Sequence, residues 1–178
     1  MNRRQLEHAI VEIGERFPLD YFYIIGSSAI LAELPDLTDA DLVGTRDVDM
    51  IPNPPNPDDI DRLANQVDNV LGEGSQFDLE QGFYVQGLDM NSPTYAPPGW
   101  KDRTVPVTVK GVTALCMEKH DLAVSKYGAG REQDLAFTAA LARHGLVQKS
   151  ILLERVRELD VPEKRVERIR ALVERDFR

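Results

Sequence analysis

The chain has 178 residues, of which 42% are hydrophobic and 29% charged, and its formal net charge is −9. This length fits one domain, with or without a helical extension, and is enough to bury a sizeable core. The acidic balance disfavours binding of nucleic acid through a broad basic surface, although a nucleotide or an RNA end needs only a local basic pocket. The single cysteine, Cys116, excludes an internal disulfide and a zinc site built from several thiolates.

The N-terminal segment is charged and amphipathic, and no apolar run approaches the roughly 20 residues that a membrane span requires. We therefore expect a cytoplasmic protein without a membrane partner.

Apolar residues at helical spacing predict a first helix that ends before Pro18. The run 21–25 is short, apolar and bounded by Pro18 and Gly26, which favours a buried strand. A glycine-serine turn follows, and 29–34 is expected to form a helix with a serine cap. Residues 35–45 are polar and predict a loop, after which 48–51 predict a second strand.

A proline-rich connection leads to a predicted helix over 60–71. Residues 75–112 indicate β structure, with strands expected at 83–88 and 105–112. From Leu115 onward the pattern is helical, and the last helix is expected to begin near Pro162. The predicted fold class is α/β (α+β): a mixed sheet with flanking helices over 1–114, followed by a helical region over 115–178.

The sharpest local signal is Asp47-Val48-Asp49. Residues at i and i+2 on a strand project from the same face, so both carboxylates point one way while Val48 points into the core. Two carboxylates so close repel one another unless a cation lies between them, and Mg²⁺ is held by one or two carboxylates together with substrate phosphates. Asp-x-Asp alone also suits a solvated strand end.

The turn Gly26-Ser27-Ser28 lies between the predicted strand and the helix that follows. Backbone N–H groups and hydroxyls at such a turn can hold phosphates, assisted by a helix N-terminus, although an ordinary capped turn has the same pattern. Neither a P-loop nor a dinucleotide-binding glycine motif is present.

Together, the segments 21–31 and 44–50 resemble the fingerprint of the DNA polymerase β-like nucleotidyltransferase superfamily. The resemblance implies that Gly26 and Ser27 hold the phosphates of a nucleoside triphosphate (NTP) and that Asp47 and Asp49 bind Mg²⁺ or Mn²⁺. The gap between the two segments is longer than usual, with the excess at 35–41. The superfamily also takes a third carboxylate from a later strand, for which the candidates are Asp78, Glu80 and Asp89.

The segment 120–135 is similar to the C-terminal motif of AbiEii-type toxin nucleotidyltransferases, in which a helix with Asp-Leu-x-x-x-Lys leads into an Arg-x-x-Asp-Leu helix. By that resemblance Lys126 contacts the nucleotide's phosphates, Asp134 supports the active site, and Arg131 positions one or both. Judged by themselves, Lys126, Arg131 and Asp134 are better explained as surface ion pairs of little energetic value; the upstream Gly-Ser and Asp-x-Asp segments favour the nucleotide site instead.

We therefore expect a Mg²⁺-dependent nucleotidyltransferase that transfers a nucleoside monophosphate to a hydroxyl, with Asp47, Asp49, Lys126 and Asp134 as catalytic residues. The resemblance implies tRNA or a protein as acceptor, and a toxin–antitoxin or phage-defence role with a cognate antitoxin as partner. One alternative is a catalytically silent module that binds a nucleotide or a partner protein. Another is a phosphohydrolase that uses the same aspartates.

Overall fold

The computed structural model describes residues 1–178. A helix precedes the first strand, and two short helical segments separate the first strand from the second. The elements of this first part are α1 (Arg3–Arg16), β1 (Phe22–Ile25), a 3₁₀ helix (Ser27–Ala32), α2 (Ala40–Val43), β2 (Asp47–Pro52) and α3 (Ile60–Leu71).

The remaining strands lie within residues 84–116, and four helices complete the chain. The elements of this second part are α4 (Gln76–Gln81), β3 (Tyr84–Gly87), β4 (Val105–Val109), β5 (Val112–Cys116), α5 (Lys119–Ala129), α6 (Glu132–Arg143), α7 (Lys149–Arg157) and α8 (Glu163–Asp176). Neither α5 nor any other helix combines the length and the apolar composition that crossing a membrane requires.

The five strands form one sheet in the order β3-β2-β1-β5-β4. The central strand β1 is antiparallel to β2 and parallel to β5, β2 is parallel to β3, and β4 and β5 form an antiparallel hairpin. All four residues of β1 are buried, as the apolar run predicts. The sheet is therefore mixed, and with its flanking helices it confirms the predicted α+β class.

The predicted helix over 29–34 is wrong in type and in its cap. Residues 27–32 form a 3₁₀ helix without a side-chain cap, and the buried hydroxyl of Ser28 has no hydrogen-bond partner. The expected loop 35–45 also contains the short helix α2. Its cap is Asp39, which accepts the N–H of Asp41 (2.9 Å) and bonds from Arg143 and His144. Asp39 of this polar segment thus caps α2 and pairs with residues of the α6 end, roles that the polarity of the segment alone does not predict.

The region 75–112 is less β-rich than its composition indicates. Ser75 accepts the N–H of Asp78 and so caps α4, a helix too short to show a clear apolar period. The predicted strand over 105–112 is a hairpin, because the chain turns at Lys110 and Gly111, both of which have positive φ. The predicted start of the last helix near Pro162 is confirmed, since α8 begins at Glu163.

An ionic cluster joins α5 to α7 and to the segment before β4. Arg103 donates two hydrogen bonds to the buried carboxylate of Asp121, at 2.8 and 2.9 Å. Arg155 donates to Glu118 and lies 3.1 Å from Asp121. These contacts hold α5 in a fixed place beside the sheet. The division of the chain between 114 and 115 stays a prediction, and β5 crosses that position.

Candidate active site

Gly26 ends the central strand in a backbone conformation that few other residues adopt, with φ 71° and ψ −173°. This region of the Ramachandran map is essentially restricted to glycine. A Cβ atom at this position would lie 2.0 Å from Oδ2 of Asp49. The absence of a side chain therefore lets the end of β1 lie directly against the carboxylate of Asp49.

The two aspartates lie at the start of β2, and Asp49 pairs with Ile25 across the β1–β2 ladder. Asp47 and Asp49 are half-buried and alternate with Val48, which is fully buried. The carboxylates therefore share the face of the sheet opposite that of Val48, as the i, i+2 spacing predicts. The hydroxyl of Thr45 donates a hydrogen bond to Asp47.

The environment of Asp49 disfavours its negative charge. Burial and the neighbouring charge of Asp47 raise the pKa of Asp49 to about 7, although Lys126 and Arg131 act in the opposite direction. Burial removes water from the Asp49 carboxylate, and the charge of Asp47 repels its negative charge. The positive charges of Lys126 and Arg131 do not fully offset these two effects. A cation between Asp47 and Asp49 would supply the missing positive charge.

The cationic side of the site comes from the junction of α5 and α6. Lys126 Nζ lies 3.0 Å from Asp134 Oδ1, and Arg131 Nε donates to Asp134 Oδ2 at 2.7 Å. Burial favours a raised pKa for Asp134, but the bonds from Arg131 and the charge of Lys126 outweigh it and hold the pKa below its usual range. Gly130, with φ 66°, ends α5 and permits the sharp turn into α6.

Asp49, Gly26, Lys126 and Arg131 line one cavity of about 480 Å³. Ser27 lines a neighbouring cavity of about 350 Å³, and Lys126 lines both. Asp47 lines neither of these two cavities, and Asp134 is fully buried behind Lys126. Residues expected from three separate sequence segments thus meet around one space.

The three candidates for a third carboxylate lie elsewhere. Asp78 is on α4, where it bonds Arg46 at 2.6 Å and accepts the N–H of Gly74. Glu80 is on the same helix and accepts from Gln76, and Asp89 follows β3 and accepts from its own loop. None of them lines the cavity, and no group of three acidic, histidine or cysteine side chains could hold a metal ion.

The sequence predicts no site role for most of the other residues that line the same cavity, among them Gln86, Tyr95 and Ser125. Gln86 pairs with Asp49 across the parallel β2–β3 ladder. Tyr95 covers Gly128, where a Cβ atom would lie 2.4 Å from the Cβ and Cγ atoms of Tyr95. Strand register and loop packing cannot be read from the composition of a single sequence.

The donor set of this site fits one divalent cation. Asp47 and Asp49 provide two hard oxygen ligands on one face of β2, and Mg²⁺ is usually bound by one or two carboxylates with phosphates and water completing its shell. A second cation would need a further carboxylate, but Asp49 is the one acidic residue that lines the cavity, and no cluster of three possible metal ligands is present.

A mixed sheet whose central strand ends in a glycine turn beside paired aspartates is the arrangement expected of the nucleotidyltransferase class. A family described as nucleotidyltransferase of unknown function (DUF6036) matches residues 4–172, and the chain belongs to it. The match extends through most of α8 and so includes the final helices, for which no motif was found. No curated protein and no solved structure gives a significant match.

Proposed function

We propose that this nucleotidyltransferase-family protein transfers a nucleoside monophosphate from an NTP to a hydroxyl acceptor in a reaction that depends on Mg²⁺ or Mn²⁺. The observation that supports the proposal best is the shared cavity, which Gly26, Asp49, Lys126 and Arg131 all line. A carboxylate that can bind a metal, together with two basic side chains in the same cavity, suits a metal-bound triphosphate.

In this proposal Asp47 and Asp49 hold the cation, which when bound neutralises charge on the phosphates. Lys126 offers a compact positive charge and Arg131 a planar set of donors to phosphate oxygens. Asp134 holds the Lys126 and Arg131 side chains in place through its ion pairs with both. The acceptor's oxygen forms a bond to the α-phosphorus as the bond to pyrophosphate breaks, so positioning and charge neutralisation supply most of the rate.

The finer part of the proposal rests on the resemblance of 120–135 to AbiEii-type enzymes, which implies tRNA or a protein as acceptor and a cognate antitoxin as partner. The cytoplasm stays the expected location on the separate ground of the charged N-terminal segment. The net charge of −9 favours a small local contact over a long RNA interface.

The test is label transfer from each of four α-³²P-labelled NTPs, with Mg²⁺, to a tRNA pool and to a protein pool. We expect the wild type to transfer label and Asp49→Asn to transfer it at least about 100-fold more slowly. Without the divalent ion we expect no label transfer. The matched control is Asp61→Asn, an exposed aspartate on α3. Equal labelling by wild type and Asp49→Asn with every nucleotide and pool would refute the proposal.

A second candidate, the catalytically silent module, is favoured by the absence of a third carboxylate from the cavity. Calorimetry with NTP and Mg²⁺ separates the two, because binding without label transfer supports the silent module. Release of labelled nucleotide without a labelled acceptor would instead indicate a phosphohydrolase.

A further inference from the structure

The side chain of Gln86 lies on the face of the sheet that carries Asp49. The two residues are Cα partners in the parallel β2–β3 ladder, and their neighbours Val48 and Val85, which are also partners, are both fully buried. Paired residues of adjacent strands project to the same side, so Asp49 and Gln86 project away from these valines. Both residues line the 480 Å³ cavity.

Gln86 is therefore the residue of the neighbouring strand that lies beside Asp49 on this face, from where a carboxylate could share a metal with Asp49. It is on the strand after β2, beside Asp49 and at the cavity wall. The acidic residues nearest to it in sequence are bound elsewhere: Asp89 accepts bonds within its own loop, Glu80 accepts one from Gln76, and Asp78 pairs with Arg46. The position is thus filled by a neutral amide.

We propose that Gln86 limits this site to one divalent cation and presents an amide where a second cation would otherwise be held. The inference rests on the proposed function and deepens it. Two carboxylates carry the charge that balances one divalent cation, whereas Gln86 adds no charge to balance another. Lys126 and Arg131 already add positive charge to the cavity, and the carboxylate of Asp134 offsets only part of it.

The amide has a consequence for the acceptor as well. A glutamine oxygen can accept a hydrogen bond from a hydroxyl and orient it, but it cannot take the proton as a carboxylate does. Gln86 is accordingly a positioning residue in this proposal, and the acceptor's proton leaves to solvent.

The test counts bound Mn²⁺ by electron paramagnetic resonance, with Mn²⁺ alone as the probe and no nucleotide present. We expect one Mn²⁺ per chain in the wild type and two in Gln86→Glu, with a spin-coupled signal that appears only in that variant. Gln81→Glu is the matched control, because it adds the same charge at an exposed position at the end of α4 and should still bind one ion. Gln86 is exposed on the edge strand, so the variant should fold, which thermal melting checks.

The outcomes separate this inference from the proposed function. Two Mn²⁺ per wild-type chain, or one in a folded Gln86→Glu variant, overturns the assignment to Gln86 and leaves the metal site of Asp47 and Asp49 intact. No bound Mn²⁺ in the wild type, or one that persists in Asp49→Asn, overturns the metal site itself and the inference with it.

Discussion

The ammonium group of Lys126 lies 3.0 Å from the carboxylate of Asp134, which is fully buried between helices α5 and α6. Lys126 is itself buried, and its Nζ lies 5.6 Å from the centroid of the Phe137 ring. Lys126, which lines both cavities, is thus held by a carboxylate that solvent does not reach.

Removing Asp134 should destabilise the fold strongly, because Lys126 would keep a buried charge without a partner. We expect Asp134→Ala to lower the free energy of unfolding by about 3–5 kcal/mol, measured by urea denaturation. Arg131→Ala should lower it by only about 0–1 kcal/mol, because the Arg131 side chain is 65% exposed. Similar small losses in both variants would mean that the pair with Lys126 is screened by water.

Gly26→Ala should abolish divalent-ion binding, because its Cβ would displace the Asp49 carboxylate. Gly82→Ala is the control: Gly82 also has positive φ, at 72°, but nothing lies within 4 Å of its Cβ position. We expect the control to lose about 1–2 kcal/mol of stability and to keep wild-type Mn²⁺ affinity. Wild-type affinity in Gly26→Ala would show that Asp49 can move aside without loss of the site.

Gly128→Ala should weaken nucleotide binding although the residue is not at the cavity wall. The added methyl group would collide with Tyr95 and push its loop away from the cavity. We expect a rise of about tenfold in the dissociation constant of an NTP with Mg²⁺, equivalent to about 1.4 kcal/mol, measured by calorimetry. The double variant with Tyr95→Gly removes the colliding atoms. If the double variant and Gly128→Ala have the same enthalpy, stoichiometry and affinity, the effect does not pass through Tyr95.

Acid should destabilise the protein through Glu118, which caps α5. Burial favours a raised pKa for Glu118, but bonds from His120 and Arg155 outweigh it and lower the pKa to about 2. Because the folded-state pKa is depressed, the stabilisation is present above about pH 4.5 and is lost as the pH falls towards 2. We expect a loss of about 1–3 kcal/mol, after allowance for solvent screening, in chemical denaturation at stepped pH. In Glu118→Gln this component should be absent at every pH.

The predictions that the structure confirms rest on local sequence patterns. The apolar run before Gly26 predicts β1 because a buried strand needs such a run, and the spacing of Asp47 and Asp49 defines their common face. The mixed sheet follows from these strands and the helices between them. The short helices α2 and α4 were missed because four to six residues show too little periodicity.

The neighbours of the candidate site could not be predicted in the same way. Gln86 reaches Asp49 through strand register, and Tyr95 reaches Gly128 through loop packing, and neither relation leaves a signal in a single sequence. The acidic candidates Asp78, Glu80 and Asp89 lie near β3 in the chain, but Gln86 is the β3 residue that pairs with Asp49.

The central position of β1 has a consequence for synthesis of the chain. Its partner β2 follows within about 30 residues, but its other partner, β5, is complete only about 90 residues later. At roughly 5–20 residues per second, ribosomes need about 5–20 s to supply that second partner. During that interval the most apolar strand of the protein has an open edge that other nascent chains can pair with. Translation speed between β2 and β5 should therefore control how much of this protein aggregates before it folds.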